Sequence, residues 1–268
     1  MKPVRAALAI QRSIPGNLKA NLDACLTLTR TAARNGAKII IFPELNLTGY
    51  TLDKRLIPAA STIPGPLTDA LLNASASNNI TILAGLAQRD NDLVFCTHVA
   101  AMADKALGFY QKLHIPPPER KIFTPGNSII TFTTEFANFG IQLCYDAHFP
   151  ELSTRMALKG AEILFFPHAS PRGTPEEKLS SWLRHLTARA FDNSVFVLAC
   201  NQAGTHANGR SFPGVAVAIG PDGNVIAHLL ATDDELLIVD LDNDLMEQIK
   251  GHRMRYFLPG RRKDLGLL

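Results

Sequence analysis

Apolar residues in this chain gather into short runs that read as strands, broken by stretches of helical period and by clusters of turn formers. Val4–Gln11 reads as a buried strand. Asn17 then stands at a helix cap position, ahead of a helix to about Asn35 with Leu18, Leu22, Cys25, Leu26 and Ala33 on one face and Gly36 as its stop. Ala37–Phe42 is a second buried strand, ending at Pro43 and Glu44, and a helix near Leu67–Ser77 follows the Pro64–Pro66 breaker. Ile80–Gln88, Leu93–Met102 and Ala106–Lys112 read as a meander turning at Arg89–Asp92 and Asp104–Lys105. Ser128–Thr133 and Ala137–Cys144 make a hairpin-like pair. Beyond them lie a helix near Pro150–Lys159 closed by Gly160, the strand Glu162–Pro167, a longer helix near Glu176–Asp192 and the strand Ser194–Cys200. Val215–Ile219 and Val225–Leu230 form a hairpin around Pro221–Asn224, and Glu235–Leu241 is the last strand. Many strands with a few helices placed between strand groups predict an α/β chain of mixed β-sheets stacked face to face, with helices outside. No repeat, low-complexity segment or linker interrupts it, so residues 1–268 are expected to be a single domain.

Composition narrows the function. Of 268 residues 46% are hydrophobic and 19% charged, which is the composition of a folded chain rather than a disordered one. A net charge of +3 is too small for nucleic-acid or membrane binding to be the main activity. The one basic cluster, Arg261–Lys263, reads as a solvated or inter-subunit patch. Cys25, Cys96, Cys144 and Cys200 lie far apart without a CxxC motif, which argues against a zinc site or disulfide framework and for free thiols in a reducing compartment. His98, His114, His185 and His206 stand isolated in the sequence, and no metal role is assigned to them. Only Ala6–Ile10 is apolar near the N-terminus, too short for a signal-peptide core, and no run reaches bilayer length. A soluble cytoplasmic protein is expected, with no cofactor.

Three polar residues stand where apolar strands end: Glu44, Lys112 and Cys144. Strand ends in stacked α/β folds deliver side chains into a shared crevice. A cysteine nucleophile needs a base, which a carboxylate can provide, and its tetrahedral intermediate needs positive charge or N–H donors at the oxyanion. Lys112 and the backbone N–H of Tyr145 are candidates for that last part. Because Cys144 reads as the exit of a strand just before a helix, its thiolate is expected to be favoured.

The segment Phe42–Tyr50 resembles the glutamate motif of the nitrilase superfamily, the carbon–nitrogen hydrolases. Tyr110–Ile115 is similar to its lysine motif and Gly140–Glu151 to its cysteine motif, in the same order, while Arg261–Asp264 resembles its arginine-rich tail. That resemblance implies a four-layer αββα sandwich of two mixed β-sheets with outer helices, usually paired into homodimers or larger homo-oligomers. It also implies Cys144 as nucleophile, Glu44 as general base and then acid, and Lys112 as oxyanion stabiliser. Glu119 matches a further glutamate expected to orient substrate and relay protons.

Cys144–Asp146 reads Cys-Tyr-Asp, which resembles the amidase and carbamoylase branches; nitrile hydrolases usually place Trp-Glu after the cysteine. A small linear amide or N-carbamoyl substrate is therefore preferred, with a nitrile as the alternative and a non-catalytic scaffold subunit as another. Carbamoyl-amino-acid hydrolases commonly place an arginine shortly after the cysteine to hold a carboxylate, whereas this chain has Ala147–Phe149 there. Tyr50, Tyr145, His148 and His168 are candidate substrate-binding residues, Arg172 is a candidate for specificity, and Trp182, Arg189 and Asn193 are expected to pack. The prolines of Leu113–Pro118 predict a short stiff rim.

Overall fold

The computed structural model describes residues 1–52, 56–206, 209–262 and 264. The first half of the chain forms β1 (Val4–Ile10), α1 (Leu18–Arg34), β2 (Ile39–Ile41), α2 (Leu56–Ala59), α3 (Pro66–Asn78), β3 (Thr81–Asp90), β4 (Leu93–Ala101), β5 (Leu107–Gln111), β6 (Thr131–Thr133) and β7 (Asn138–Ile141). The second half forms α4 (Pro150–Leu158), β8 (Ile163–His168), α5 (Pro175–Asn193), β9 (Phe196–Asn201), β10 (Gly204–Thr205), β11 (Ser211–Phe212), β12 (Gly214–Ile219), β13 (Val225–Ala231), β14 (Glu235–Leu241) and α6 (Asn243–Gly251).

β1, β2 and β3 are parallel neighbours, and β7, β8 and β9 repeat the arrangement in a second sheet. Antiparallel strands flank both trios, giving the orders β14-β1-β2-β3-β4-β5 and β13-β12-β9-β8-β7-β6. The trios read as unbroken apolar runs because both of their faces are covered. Leu8, Ile10, Ile39 and Ile41 belong to the core that also holds Leu164, Leu198 and Val217 of the other sheet. Ala7, Ala9, Ile40 and Ile82 face the opposite way, into a cluster with Cys25, Ala32 and Leu71 from α1 and α3. With α4 and α5 against the second sheet, the result is an α/β sandwich of two mixed sheets between outer helices.

The cap at Asn17 holds, its Oδ1 accepting from the Ala20 N–H at 3.2 Å, and Gly36 follows the helix with φ +82. The buried stripe of α1 differs from the expected one: Asn21, Cys25, Thr29 and Ala32 are deepest, and the leucines flank them half-buried. Asn21 is drawn in by its hydrogen bonds to the Ile14 N–H and to the Ile14 and Leu47 carbonyls. Three further elements lay outside the sequence pattern, namely α2, the two-residue pair β10–β11, and α6 after the last strand. Residues 142–144, expected to extend β7, instead leave the sheet. Of the basic tail, Arg262 pairs with Asp264, and Lys263 lies outside the described residues. No helix among the described residues is long and apolar enough to cross a membrane.

Candidate active site

Glu44 leaves β2 through Phe42 and Pro43, on a loop held by buried amides. Gln202 Nε2 donates to the Glu44 carbonyl at 2.8 Å, the Gly85 N–H to Asn46 Oδ1 at 2.7 Å, and Asn46 Nδ2 to Gln11 Oε1 at 3.0 Å. Gly85 has no substitute here, since a Cβ on it would meet the Leu45 backbone nitrogen. Lys112 follows β5, its N–H bonded to the Cys96 carbonyl at 2.9 Å, and its side chain is fully enclosed. Glu119 closes a 3-10 turn, Pro117–Glu119, and is only 5% exposed, so it is no solvent-facing loop carboxylate. The prolines thus build the turn that carries a buried acid.

These three side chains converge. Lys112 Nζ donates to Glu44 Oε1 at 2.8 Å and to Glu119 Oε2 at 2.9 Å. Tyr50 O–H donates to the other Glu119 oxygen at 3.0 Å, and the Ala169 N–H donates to Glu44 Oε2 at 2.9 Å. The Cys96 thiol reaches Glu44 Oε1 at 3.4 Å. Burial alone would lower the Lys112 pKa, but Glu44 and Glu119 outweigh it and hold the ammonium well above its usual range. Glu119 is pushed up by burial and by Glu44, against the pull of Lys112.

Cys144 sits one short step past β7 with φ +45, a left-handed conformation that costs a non-glycine residue roughly 1–2 kcal/mol. Asp146 holds that geometry: its carboxylate accepts from the Leu143 N–H (3.1 Å), the Tyr110 hydroxyl (2.8 Å) and the His114 N–H (2.9 Å). The His114 ring adds a contact at 2.8 Å and stacks on Phe149, so His114 is not isolated as the sequence suggested. Arg189 of α5 grips the same turn through the Ala147 carbonyl at 3.0 and 3.2 Å. Asp146→Asn is expected to lower kcat about 100-fold by loosening the turn. It should also cost about 1–3 kcal/mol for each donor left without its acceptor. Ammonia release and a thermal melt, read together, check both.

One expectation is corrected. The turn Cys144–His148 is a five-residue 3-10 turn, and the α-helix begins only at Pro150, so no long helix dipole points at the sulfur. Burial, reinforced by Glu44 and opposed by Lys112, raises the Cys144 pKa, the opposite of the shift expected from the sequence. Burial likewise pushes Cys25 up to about 12 and raises Cys96 and Cys200 well above their ordinary value. An acid whose folded pKa is raised keeps a proton that the unfolded chain releases above about 9. Stability is therefore expected to fall as pH rises past 9, by about 1.4 kcal/mol per pH unit for each such cysteine. Urea melts from pH 7 to 10 measure this.

Of the expected substrate-binding residues, Tyr50 joins the charged cluster. Tyr145, the residue after Cys144, is half-exposed, its ring edge-on to Phe149 at 5.5 Å. His148 instead lies exposed next to His185, its ring 4.8 Å away, and partial desolvation with the nearby Arg189 charge lowers its pKa. His168 is 2% exposed, bonded to the Phe166 carbonyl and stacked on Trp182 at 4.0 Å. Trp182, Arg189 and Asn193 are buried along α5, as their packing role requires, and Arg172 is exposed with φ +74. The sequence reading missed Asp146, Cys96 and the Gln11/Asn46/Gln202 amides. Only Asp146 left a signal, a carboxylate two positions after the cysteine.

A family model for the carbon-nitrogen hydrolases matches residues 5–251, and the chain belongs to that family. Among named relatives, it is 31% identical over 257 residues to the Citrullinase of Francisella tularensis subsp. tularensis (strain SCHU S4 / Schu 4), covering 89% of each chain. It is 28% identical over 256 residues to the Nitrilase of Pyrococcus abyssi (strain GE5 / Orsay), covering 88% of this chain and 92% of that one. The fold matches the crystal structure of XC1258 from Xanthomonas campestris, a CN-hydrolase superfamily protein, with a TM-score of 0.87 at 21% identity over 98% of both chains.

Proposed function

We propose that this protein hydrolyses the C–N bond of a small linear amide or N-carbamoyl compound through an acyl-thioester on Cys144. The observation that carries this reading is the buried Glu44–Lys112–Glu119 chain, with both ion pairs under 3 Å and with Glu44 and Lys112 near enough to act electrostatically on the Cys144 thiol of the strained turn. As the Cys144 sulfur attacks the carbonyl carbon, Glu44 takes the thiol proton and the S–C bond forms while the C=O pair moves onto oxygen. An ammonium has three N–H donors, and two of those on Lys112 are committed to Glu44 and Glu119. The third, with the Tyr145 N–H, meets the oxyanion. Glu44 then gives its proton to the nitrogen, the C–N bond breaks, and ammonia or an amine leaves. Water, deprotonated by the same carboxylate, attacks the thioester and returns the thiol.

Glu119 fixes Lys112 from the far side and, through Tyr50, ties the lysine to the pocket wall. The Cys-Tyr-Asp sequence and the Citrullinase relative favour amide or carbamoyl nitrogen over a nitrile. A homo-oligomer is part of the same reading. An ammonia-release screen across aliphatic amides, ω-amides, N-carbamoyl amines and amino acids, and nitriles tests it. Release from an amide or carbamoyl compound is expected, and release from nitriles alone overturns the preference.

A further inference from the structure

Lys178 is the unexplained cation near this site. It occupies the first turns of α5, where the helix dipole disfavours positive charge and where Glu176 and Glu177 satisfy the usual preference. Yet it lies on the inward stripe of that helix, four residues before Trp182 and eight before Leu186, both buried. Its side chain is half-buried, and its ammonium rests on the loop that follows β8, donating to Ser170 Oγ at 2.8 Å and to the Pro171 carbonyl at 3.1 Å.

That loop is part of the active site. Its Ala169 N–H holds Glu44 Oε2, and Ser170 is clamped at both N–H and carbonyl by Asn201, at 2.9 and 3.0 Å. The Lys178 partners are neutral oxygens. Among the described residues no carboxylate pairs with it, and the neighbouring Glu177 is occupied in capping Thr174. Half-burial lowers its pKa, and no carboxylate acts against that. A partly desolvated ammonium without a carboxylate partner, on the loop whose Ala169 N–H holds Glu44, is a place for an anion.

We propose that Lys178 is the anchoring subsite for a substrate carboxylate, so that the preferred substrates are small amides or carbamoyl compounds bearing a carboxylate tail. The inference rests on the hydrolase reading of Cys144. It answers the missing arginine after the cysteine: the cation comes from α5 instead of the Ala147–Phe149 turn. It also sets the subsite against substrates with an ammonium tail, which Lys178 repels.

The test compares kcat/KM for succinamate, butyramide and 4-aminobutyramide in the full-length enzyme and in Lys178→Met and Lys178→Arg. Wild type should favour succinamate over butyramide and butyramide over 4-aminobutyramide. Lys178→Met should cut the succinamate-to-butyramide ratio about 10- to 100-fold, mostly through KM, and Lys178→Arg should keep most of it. Equal losses on all three substrates would mean a structural role and overturn the proposal, as would a wild type that turns over butyramide and does not favour succinamate. Succinamate binding to Cys144→Ala protein, by calorimetry with and without Lys178→Met, separates the two claims. Binding that depends on Lys178 without turnover in wild type would uphold the subsite and sink the hydrolase reading. Turnover with binding indifferent to Lys178 would do the reverse.

Discussion

Cys144→Ala is expected to bring ammonia release down to the uncatalysed background, a loss of about a million-fold on the scale seen when a nucleophile is removed. Nothing else in the site can take its place. Cys25, Cys96 and Cys200 are fully buried, and Cys96, the nearest to the charged cluster, is spent on Glu44. The variant should fold normally. Removing one thiol from a half-exposed turn deletes no hydrogen bond that Asp146 or Arg189 makes, so stability should stay within about 1 kcal/mol of wild type. The assay is ammonia release on a confirmed substrate beside a urea melt. Activity surviving at a wild-type rate would remove Cys144 from the mechanism.

Lys112→Met is expected to damage both activity and fold. Two buried carboxylates now share one buried ammonium at 2.8 and 2.9 Å, and methionine fills the space without supplying charge. Breaking a buried ion pair from one side leaves an uncompensated charge and costs about 3–5 kcal/mol. Losing the proposed oxyanion donor should add a drop of about 100- to 1,000-fold in kcat. The pH dependence carries a distinct sign. Glu119 already titrates above its usual 4.5 because burial and Glu44 outweigh Lys112, and without the lysine that rise grows. A carboxyl whose folded pKa is raised lends stability at low pH, and loses it as pH climbs from the unfolded value through the folded one. Lys112→Met should therefore melt higher at pH 5 than at pH 8, relative to wild type. A variant equally destabilised at both pH values would mean that the carboxylates do not carry the cost.

How much of this was legible before the structure depends on the range of the interaction. Strands such as β1, β3 and β9 announce themselves because burial on both faces forces continuous apolar runs, a local signature. Glu44, Lys112 and Cys144 stand out because a lone polar group directly after such a run is itself a local irregularity. Asp146 was not readable in the same way, since its partners Tyr110, His114 and Leu143 come from two segments, and only folding shows that its carboxylate ties them together. Asn21 was misjudged because helical period ranks leucine above asparagine, and three backbone hydrogen bonds reverse that order. The thiolate expectation failed for a similar reason. The chain direction promised a helix, but the residues after Cys144 close a 3-10 turn, and burial raises the thiol's pKa.

Everything above depends on an acyl group resting on sulfur between loss of nitrogen and attack by water. Product partitioning measures that directly: an amide and the methyl ester of the same acid are each turned over with hydroxylamine present, and the ratio of hydroxamate to free acid is compared. A shared acyl-thioester on Cys144 predicts the same ratio from both substrates, with neither product formed by Cys144→Ala. A ratio that changes with the leaving group would mean that water and hydroxylamine attack the substrate itself, and the covalent account would be wrong.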